Sequence, residues 1–577
     1  MRSSANKAVV ALLLVSWGAL AQEKEKPNPP PPRLELPADS TRAIAPEKKD
    51  ASERGSDKLQ LPDVLIYGRD SDLRSTGQKI TISPEQLGPE PPSSREAPPD
   101  SAAILRGDKA HLQEAGTSAR NRFRGRLALG SFGQVESNAQ LRLGPLERGP
   151  DRKFELATDF EFNRANGQFP NSDFREWRLD LGGQYDWGGA SSAALKLGGG
   201  RRQYGFHVAA NPDLDADVGS FTSDAQVSFP AGQSAKVVLG GRLHWHDYEY
   251  VDADSSSDSR VDERLLLWRA AFEKRFRGFS LEAGAESLSD ALNVPADSTA
   301  GNRLSQLSVS LRFPIGRAVT MTAGSRVTWA RSEEGGRKRR WGPVLRAVSV
   351  PHPRLALSAE FSNGWRLTPL SNRWLENYFI DATSRQLPED VAANLVFTVD
   401  YRLVRGWMVQ LQYSRVEVRQ FSYFERSAGT GLLALRQLDK VTLSDLTIGL
   451  QMKVGEQLQL SSALHFLDDD VQSAGVPIFA DVPYRGDVWL PAKLEYTPSP
   501  RTRVSAEARL VGSRRTALLS RSALEGYVEL RVRGEWKALS PASLFVEARN
   551  LLDDAYERWL GYREMGANVV VGMIAAW

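Results

Sequence analysis

The sequence predicts an all-β protein: a transmembrane antiparallel β-barrel of about 22 strands, preceded by a largely disordered, Pro-rich N-terminal periplasmic tail. Three observations support this fold class. The N-terminus carries an export signal, most of the chain alternates apolar and polar side chains with a period of two, and the final strand ends in an aromatic residue. Together they indicate the cell outer membrane of a Gram-negative bacterium.

The export signal occupies residues 1–21. Arg2 and Lys7 precede an apolar run that ends at Leu20, and Ala19-Leu20-Ala21 has the small-x-small form that a signal peptidase cleaves. The apolar run is shorter than the roughly 18 to 20 residues of a spanning helix, and no later stretch reaches that length, which argues against a helical membrane protein. The chain contains no cysteine, so disulfides and lipid attachment at a cleavage-site cysteine are excluded.

A Pro-rich periplasmic tail is predicted for residues 22–119. Runs such as Pro27-Asn28-Pro29-Pro30-Pro31-Pro32 favour extended, solvated polyproline conformations rather than a compact domain. One short β-prone island, residues 61–87, interrupts this composition.

The barrel is predicted for residues 120–577, where the alternation continues to the end of the chain. Between Arg501 and Leu510, one face is apolar and the other is charged, and only the apolar face can contact hydrocarbon. The charged face is therefore predicted to point into the lumen, as is the equivalent face of a strand near residue 530. The predicted lumen-facing residues are Arg501, Arg503, Glu507, Arg509, Glu529, Arg531 and Arg533.

Tight turns and longer polar loops alternate between the predicted strands. Pro314–Arg317 is a tight turn, whereas Val251–Ser259 and Arg331–Arg340 are predicted long loops. Short turns on one rim and long loops on the other are typical of outer-membrane barrels. A soluble propeller or solenoid would show a repeated motif, and a series of β-sandwiches would need linkers; the sequence after Arg120 shows neither.

The last ten residues predict the strand that closes the barrel. Its odd positions form one continuous apolar stripe, and its final residue fits an aromatic anchor at the membrane interface. We interpret this stripe as the barrel-insertion signal: Val569, Val571, Met573, Ala575 and Trp577.

Composition and motifs argue against several functions. A formal net charge of +3 gives no reason to expect nucleic acid as a partner. The chain lacks the Gly-x-Ser-x-Gly, Walker-type and His-Glu-x-x-His patterns, and no serine, histidine and carboxylate set is recognisable. The sequence therefore predicts no enzyme, no catalytic residues and no cofactor.

Three smaller features have candidate binding roles. His244 and His246 share the predicted inner face and could bind a metal or haem, but two donors without thiols favour an ordinary polar wall, and no metal site is predicted. Asp252, Asp254 and Asp258 alternate in a loop but lack the glycine and glutamate of a calcium loop. The basic run Arg337–Trp341, on a predicted outer loop, could contact anionic headgroups of outer-leaflet lipid.

One motif resembles a known family. Residues 543–556 contain Asn550-Leu551-Leu552-Asp553-Asp554-Ala555-Tyr556, which is similar to the penultimate strand and following turn of TonB-dependent receptors. In that segment Glu547 and Arg549 are predicted to face the interior. The resemblance implies a 22-stranded barrel, transport across the outer membrane and an energy-coupling partner of the TonB type. It covers the barrel wall, whereas no counterpart of the family's globular plug domain is recognisable in this sequence.

The resemblance also suggests how the tail could work. The β-prone segment Asp63, Val64, Leu65, Ile66 and Tyr67 is similar to a coupling box and could add a strand to an energy-coupling protein. A barrel of about 22 strands encloses a lumen that its own side chains cannot fill, so the tail, inward-folded loops or a lumen-occluding partner should block it.

Transport is the leading function that the sequence predicts. The alternatives are a structural or interaction barrel in a multiprotein envelope machine for secretion or motility, and an export pore for polysaccharide or protein. Outer-membrane lipid and the barrel-assembly machinery are expected partners in each case.

Overall fold

In a computed structural model, the strands of the described chain form a closed ring of 22 antiparallel strands and two small hairpins. The structure describes residues 122–577 apart from 148–151, 168–171, 189–190, 209–210, 253–258, 295–299, 317, 333–335, 382, 385–386, 405, 428–430, 474–480, 521 and 565. The predicted fold class is confirmed. The predicted signal peptide, the tail and the coupling segment at residues 63–67 lie outside the described residues and stay predictions.

The first thirteen strands of the ring are β1 to β13. Its strands are β1 Arg122–Gly130, β2 Gln134–Glu147, β3 Arg152–Ala165, β4 Phe174–Trp187, β5 Ser192–Val208, β6 Asn211–Pro230, β7 Ala235–Asp252, β8 Ser259–Arg275, β9 Ser280–Asn293, β10 Ala300–Ile315, β11 Val319–Ser332, β12 Gly336–His352 and β13 Leu355–Arg366. A 3-10 turn, Ser131–Gly133, joins the first two strands. A short helix, α1 (Leu370–Glu376), follows β13.

The remaining nine strands complete the ring, and two small hairpins lie in the connections between them. The remaining ring strands are β14 Glu389–Val404, β15 Trp407–Arg426, β16 Leu433–Val454, β17 Leu458–Gln472, β18 Val488–Ser499, β19 Thr502–Val511, β22 Tyr527–Leu539, β23 Ala542–Arg549 and β26 Asn568–Ala576. The hairpins are formed by β20 Arg514–Arg515 with β21 Ala523–Leu524, and by β24 Glu557–Trp559 with β25 Tyr562–Arg563.

The first and last strands close the barrel. β1 pairs with β26, and the backbone N–H of Phe123 donates to the carbonyl of Trp577 at 2.7 Å, so both ends of the described chain lie at one rim. Connections at this rim are short, as in the turn between β18 and β19, whereas those at the opposite rim include α1 and both hairpins. The rim with the long connections is the outer one in barrels of this architecture.

Large apolar side chains cover the outside of the ring. On β26, Val569, Val571 and Met573 are 47%, 53% and 45% exposed, while the alternate residues Val570 and Ile574 are 0% and 6% exposed. Since strand side chains alternate between faces, the predicted apolar stripe lies on the outer surface. Trp577 is 68% exposed at the rim and Ala575 is partly exposed. This outer apolar surface on a 22-stranded ring is the architecture of an outer-membrane protein.

Met573→Arg should strongly destabilise the barrel in lipid. Met573 is paired with Leu127 and Leu544, which are 52% and 48% exposed on the same outer face. An arginine at the middle of a lipid-facing wall costs about 2 to 4 kcal/mol, and near an interface only about 0 to 1 kcal/mol. The free energy of unfolding is measured by urea titration in lipid vesicles. The folded fraction is read from unheated samples on a denaturing gel, where folded and unfolded barrels migrate differently. Leu539→Arg, at the rim, is the control; equal losses for the two variants would contradict a hydrocarbon-facing stripe.

The structure corrects one predicted connection. Arg331–Arg340 is not a long outer loop, because β11 extends to Ser332 and β12 begins at Gly336. The prediction was wrong because a run of arginines and glutamates has the composition of a loop, whereas in-register pairing of the two strands carries the ladder to the rim. The basic run Arg337–Trp341 therefore belongs to a strand, with its side chains divided between the two faces.

Within the described residues, no helix has both the length and the apolar character needed to span a membrane.

Candidate functional site

The connection between β13 and β14 folds into the outer mouth of the barrel. This segment, residues 367–388, is called the crossing loop here, and it is described apart from residues 382 and 385–386. Leu370, Trp374, Phe379 and Ile380 of this loop are 0 to 7% exposed and belong to a buried apolar cluster. The other members are inward-facing residues of the wall and its outer connections: Phe174, Tyr204, Phe206, Leu214, Ala216, Val218, Tyr248, Tyr250, Val261, Leu292, Phe424, Leu432, Leu433 and Tyr562.

Tyrosines on β5 and β7 fix one side of the crossing loop. The hydroxyl of Tyr204 donates to the carbonyl of Tyr378 at 2.7 Å and accepts the indole N–H of Trp374 at 3.0 Å. The hydroxyl of Tyr250 donates to the carbonyl of Ile380 at 2.8 Å. Buried polar groups need partners, and these bonds satisfy loop carbonyls that would otherwise be desolvated without compensation.

A carboxylate on β8 receives the start of α1. Glu263 is fully buried, and its Oε2 accepts the backbone N–H of Ser371 at 2.9 Å and the hydroxyl of Tyr248 at 3.4 Å. The first N–H groups of a helix have no partner within the helix, and the helix dipole favours negative charge there. Glu263 therefore ties the start of the helix to the wall by hydrogen bonding.

Backbone pairing with β16 fixes the other side of the loop. Leu433 donates its N–H to the carbonyl of Phe379 at 2.8 Å and accepts the N–H of Asp381 at 2.9 Å, which makes Ile380 and Leu433 a parallel β-bridge. The N–H of Leu435 donates to the hydroxyl of Ser384 at 3.1 Å. The loop thus adds a short strand-like segment to the outer-rim end of β16, where that strand begins.

A second buried carboxylate, Glu389 at the start of β14, holds the base of the loop. It is 1% exposed and accepts bonds from the guanidinium groups of Arg366 and Arg373, the latter at 3.1 Å. It also accepts the backbone N–H of Ser422 on β15 at 2.9 Å. One carboxylate therefore joins the end of β13, the helix α1 and the neighbouring wall.

The two attachment sites lie on opposite sides of the barrel. In the ring of 22 strands, β5 and β16 are eleven strands apart, which is half of the circumference. Because the crossing loop is bonded to both, it spans the outer mouth. The sequence left the tail, inward-folded loops or a partner as candidates to block the lumen, and an inward-folded loop is present here.

Neighbouring connections brace the loop from above. The ring of Tyr562 on β25 stacks on Phe379 with centroids 3.5 Å apart. The hairpin that carries Tyr562 is held in turn by Arg514, whose guanidinium donates to the carbonyls of Glu557 at 2.8 Å and Arg558 at 3.0 Å. Three outer connections are therefore packed together over the mouth.

An arginine of the wall also lies against the loop aromatics. Arg202 on β5 places its guanidinium 4.5 Å from the ring centroid of Tyr378 and 5.0 Å from that of Trp374. A cation over an aromatic face is attractive, more so when it is desolvated. Burial raises the pKa of the Tyr378 hydroxyl, which keeps the hydroxyl protonated beside the arginine.

The predicted histidine pair lies on the inner wall immediately below the loop. The Nε2 atoms of His244 and His246 are 3.1 Å apart, and the ring of His246 stacks on Tyr248, which contacts the loop at Trp374. Among the described residues no group of three metal-binding side chains is present, so this pair contributes two nitrogen donors. Asp252 ends β7, and Asp254 and Asp258 lie outside the described residues.

The predicted lumen-facing charges occupy the inner side of β19 and β22, with one exception. Arg501 lies in the turn before β19 rather than on the strand. The other residues pair along the wall: Arg503 with Glu495 at 2.6 Å, Glu507 with Lys493 at 3.2 Å, Glu529 with Arg531 at 3.7 Å, and Arg533 with Glu547 at 3.4 Å, while the guanidinium of Arg509 lies 5.8 Å from the ring of Trp489. That they line a solute path stays a prediction.

A compact ionic cluster, the closing cluster, joins the last strands to the first on the inner face. Glu547 on β23 is 3.4 Å from Arg533, 3.8 Å from Arg126 and 2.6 Å from Arg549. Arg549 reaches across β26 and β1 to Glu136 on β2 at 2.8 Å. Arg549, the last residue of β23 and part of the segment that resembles TonB-dependent receptors, thus helps to close the ring.

A glycine makes room for the aromatic ring on which this cluster lies. Gly572 on β26 lies beneath the ring of Phe545, and a Cβ atom there would come within 2.6 Å of the ring. Phe545 is 1% exposed and carries the guanidinium groups of Arg533 and Arg126 at 4.1 and 4.8 Å from its centroid. The alternation of residues predicted Glu547 on the inner face but not its partners, because these depend on the pairing of the first strands with the last.

The crossing loop itself was missed from the sequence. Its signal was available in the wall, since Tyr204, Phe206, Tyr248 and Tyr250 place aromatic side chains on an inner face that is ordinarily polar. Consecutive inward aromatics at the outer end of two strands indicate that protein, rather than water, covers them.

Solved structures of other proteins share this fold. The sequence matches no protein-family model and no curated protein. The structure is similar to the FrpB iron transporter from Neisseria meningitidis, with a TM-score of 0.64 and 11% identity over 81% of this chain and 83% of that chain. It is also similar to the copper transporter OprC, with a TM-score of 0.61 and 13% identity over 80% of this chain and 81% of that chain. The siderophore receptor PiuA from Acinetobacter baumannii matches with a TM-score of 0.61 and 10% identity over 80% of this chain and 82% of that chain.

These similar structures are transporters and receptors rather than enzymes. The barrel has the fold of TonB-dependent receptors, as the resemblance in residues 543–556 implied. The sequence identity to these structures is 9 to 13%, so the similarity shows a shared fold alone.

Proposed function

We propose that this barrel takes up a solute across the outer membrane and that the crossing loop is its gate. The observation that carries the proposal is the attachment of one loop to strands on opposite sides of a 22-stranded ring. A ring of this size encloses a wide lumen, so a loop across its mouth controls entry. The similar structures support transport over the envelope-machine and export-pore alternatives.

The contacts of the loop suit a gate that opens. Its attachment to β5 and β7 uses tyrosine hydroxyls and one aromatic cluster, and its attachment to β16 uses one β-bridge and one hydrogen bond to Ser384. Few separate bonds have to break on either side, and loops of this kind move on microsecond to millisecond timescales. A solute that binds beneath or beside the loop would shift it away from the wall.

The substrate class is proposed from the similar proteins. Iron, copper and siderophores are the substrates named for them, and a metal ion or metal chelate is therefore the first solute to test here. His244 and His246 would meet such a solute directly below the loop. Energy would come from a TonB-like protein that pairs with residues 63–67, and uptake that survives deletion of residues 57–87 would exclude this coupling.

Locking the gate should stop uptake. Ile380 and Leu433 are bridge partners, so their Cα atoms are about 5 Å apart, within the range that a disulfide spans. The chain has no cysteine of its own, so the double variant Ile380→Cys/Leu433→Cys forms one defined crosslink. We expect oxidised cells to lose uptake of ferric chelate or copper, measured as cell-associated metal, and to regain it on reduction. The two single variants should transport in both conditions; transport by the crosslinked protein at the unlocked rate would contradict the gate.

A further inference from the structure

Four arginines form a row on the outer surface of the barrel, close to the outer rim. Arg303 on β10, Arg331 on β11 and Arg337 on β12 are directly paired across the three strands, and Arg339 follows two residues after Arg337 on the same face. All four are exposed. These residues are called the arginine row.

Pairing of this kind is unfavourable without a counter-charge. Residues directly opposite in antiparallel strands have Cα atoms about 4.5 to 5.5 Å apart, and like charges there repel. Arg303 donates from Nε to the hydroxyl of Ser287 at 3.3 Å. Within the part of the chain that the structure describes, none of the four arginines has a carboxylate partner within salt-bridge distance.

Two other outward arginines near the same rim have acidic partners. Arg201 on β5 is paired with Asp217 on β6 at 2.5 Å, and Arg260 on β8 is paired with Asp247 on β7 at 2.7 Å. The wall therefore contains exposed arginines both with and without an acidic neighbour. Unlike these two arginines, Arg303, Arg331 and Arg337 are paired with one another across three strands and have no carboxylate partner in the described structure. β10 to β12 therefore concentrate positive charge that an external anion would neutralise.

The row lies directly above the apolar surface. The outward residues one and two steps nearer the middle of the wall include Trp329, Trp341 and Leu307, and Trp341 is 64% exposed. Tryptophans mark the membrane interface of outer-membrane barrels. The guanidinium groups are thus at the height of lipid headgroups rather than of the bulk solvent.

We propose that the arginine row binds the phosphate groups of an outer-leaflet glycolipid that carries two phosphates. Guanidinium groups bind phosphate through paired charge-assisted hydrogen bonds. From Arg303 to Arg337 the row spans two inter-strand spacings, about 10 Å, which exceeds the reach of one phosphate and suits two. The acyl chains of the same lipid would pack on Trp329, Trp341 and Leu307.

Binding to the purified full-length protein tests this proposal. Delipidated protein in detergent is titrated with diphosphoryl lipid A, monophosphoryl lipid A or inorganic phosphate, and complexes are counted by native mass spectrometry. We expect diphosphoryl lipid A to bind, and the variant Arg303→Gln/Arg331→Gln/Arg337→Gln/Arg339→Gln to bind about tenfold more weakly. Monophosphoryl lipid A should bind less tightly than the diphosphoryl form, and inorganic phosphate should not displace either.

Two controls keep the result interpretable. The variant Arg201→Gln/Arg260→Gln removes outward arginines that already have aspartate partners, and it should bind lipid as the wild type does. The single variant Arg331→Gln removes the central charge; without lipid it should unfold at a temperature no lower than the wild type, because it relieves repulsion.

Three outcomes would overturn the proposal. Equal lipid binding by the four-glutamine variant and the wild type would show that the row is not the site. Displacement of lipid by inorganic phosphate at equal concentration would indicate a free-phosphate site. A lower unfolding temperature for Arg331→Gln in the absence of lipid would show that the row serves the fold rather than a ligand.

Discussion

Replacing residues 368–387 with a four-residue glycine-serine linker should make cells permeable to bulky antibiotics. The replacement is geometrically simple, because Arg366 and Glu389 are paired residues of neighbouring strands and a short hairpin turn joins them. It removes the helix, the tyrosine-bonded carbonyls and the β-bridge in one step. A 22-stranded ring without a cover has a wide lumen, and we expect about a tenfold gain in sensitivity to antibiotics that ordinary porins exclude.

The matched control shortens another connection on the same rim. Replacing residues 516–522, the tip of the hairpin formed by β20 and β21, leaves all described contacts of the crossing loop in place. Surface levels of both variants are compared by antibody labelling of whole cells. Unchanged sensitivity of cells that display the loop-replacement variant would mean that another part of the protein closes the lumen.

Glu547→Ala should weaken the closed ring by about 3 to 5 kcal/mol, because removal of one partner from a buried ionic cluster leaves uncompensated charge. Glu547 is 1% exposed and lies within 4 Å of four guanidinium groups, those of Arg126, Arg531, Arg533 and Arg549. Its loss leaves Glu136 as the remaining carboxylate of the closing cluster. The free energy of unfolding is measured by urea titration of the barrel in detergent.

Glu535→Ala is the control for this change. Glu535 is also 3.4 Å from Arg533, but its side chain is 27% exposed and has one arginine partner in the described structure. Exposed pairs contribute about 0 to 1 kcal/mol. Similar losses of stability for Glu535→Ala and Glu547→Ala would contradict the role of the closing cluster in holding the chain ends together.

The barrel wall was predictable because the face of each strand residue follows from its neighbours in the sequence. A period-two alternation specifies which side chains meet hydrocarbon, and the segment around Val569 to Trp577 carries that information without any knowledge of its neighbours. The number of strands followed from chain length, since each strand has to cross the bilayer. The first described strand begins at Arg122, and the boundary expected near residue 120 stays a prediction.

The candidate site was not predictable because its contacts join distant parts of the chain. Glu263 meets Ser371 across 108 residues, and Arg549 meets Glu136 across 413. Composition even misled locally, since the charged run after Arg331 has the appearance of a loop and forms two paired strands. The arginine row becomes visible only when the register aligns Arg303 on β10 with Arg331 on β11, and Arg331 with Arg337 on β12.

Single-channel conductance in planar bilayers tests the central claim, that the crossing loop closes the outer mouth, most directly. Purified full-length wild type should show little or no steady conductance, and the protein with residues 368–387 replaced should show a large, continuously open level. A wild-type protein that conducts steadily at that same large level would contradict the claim.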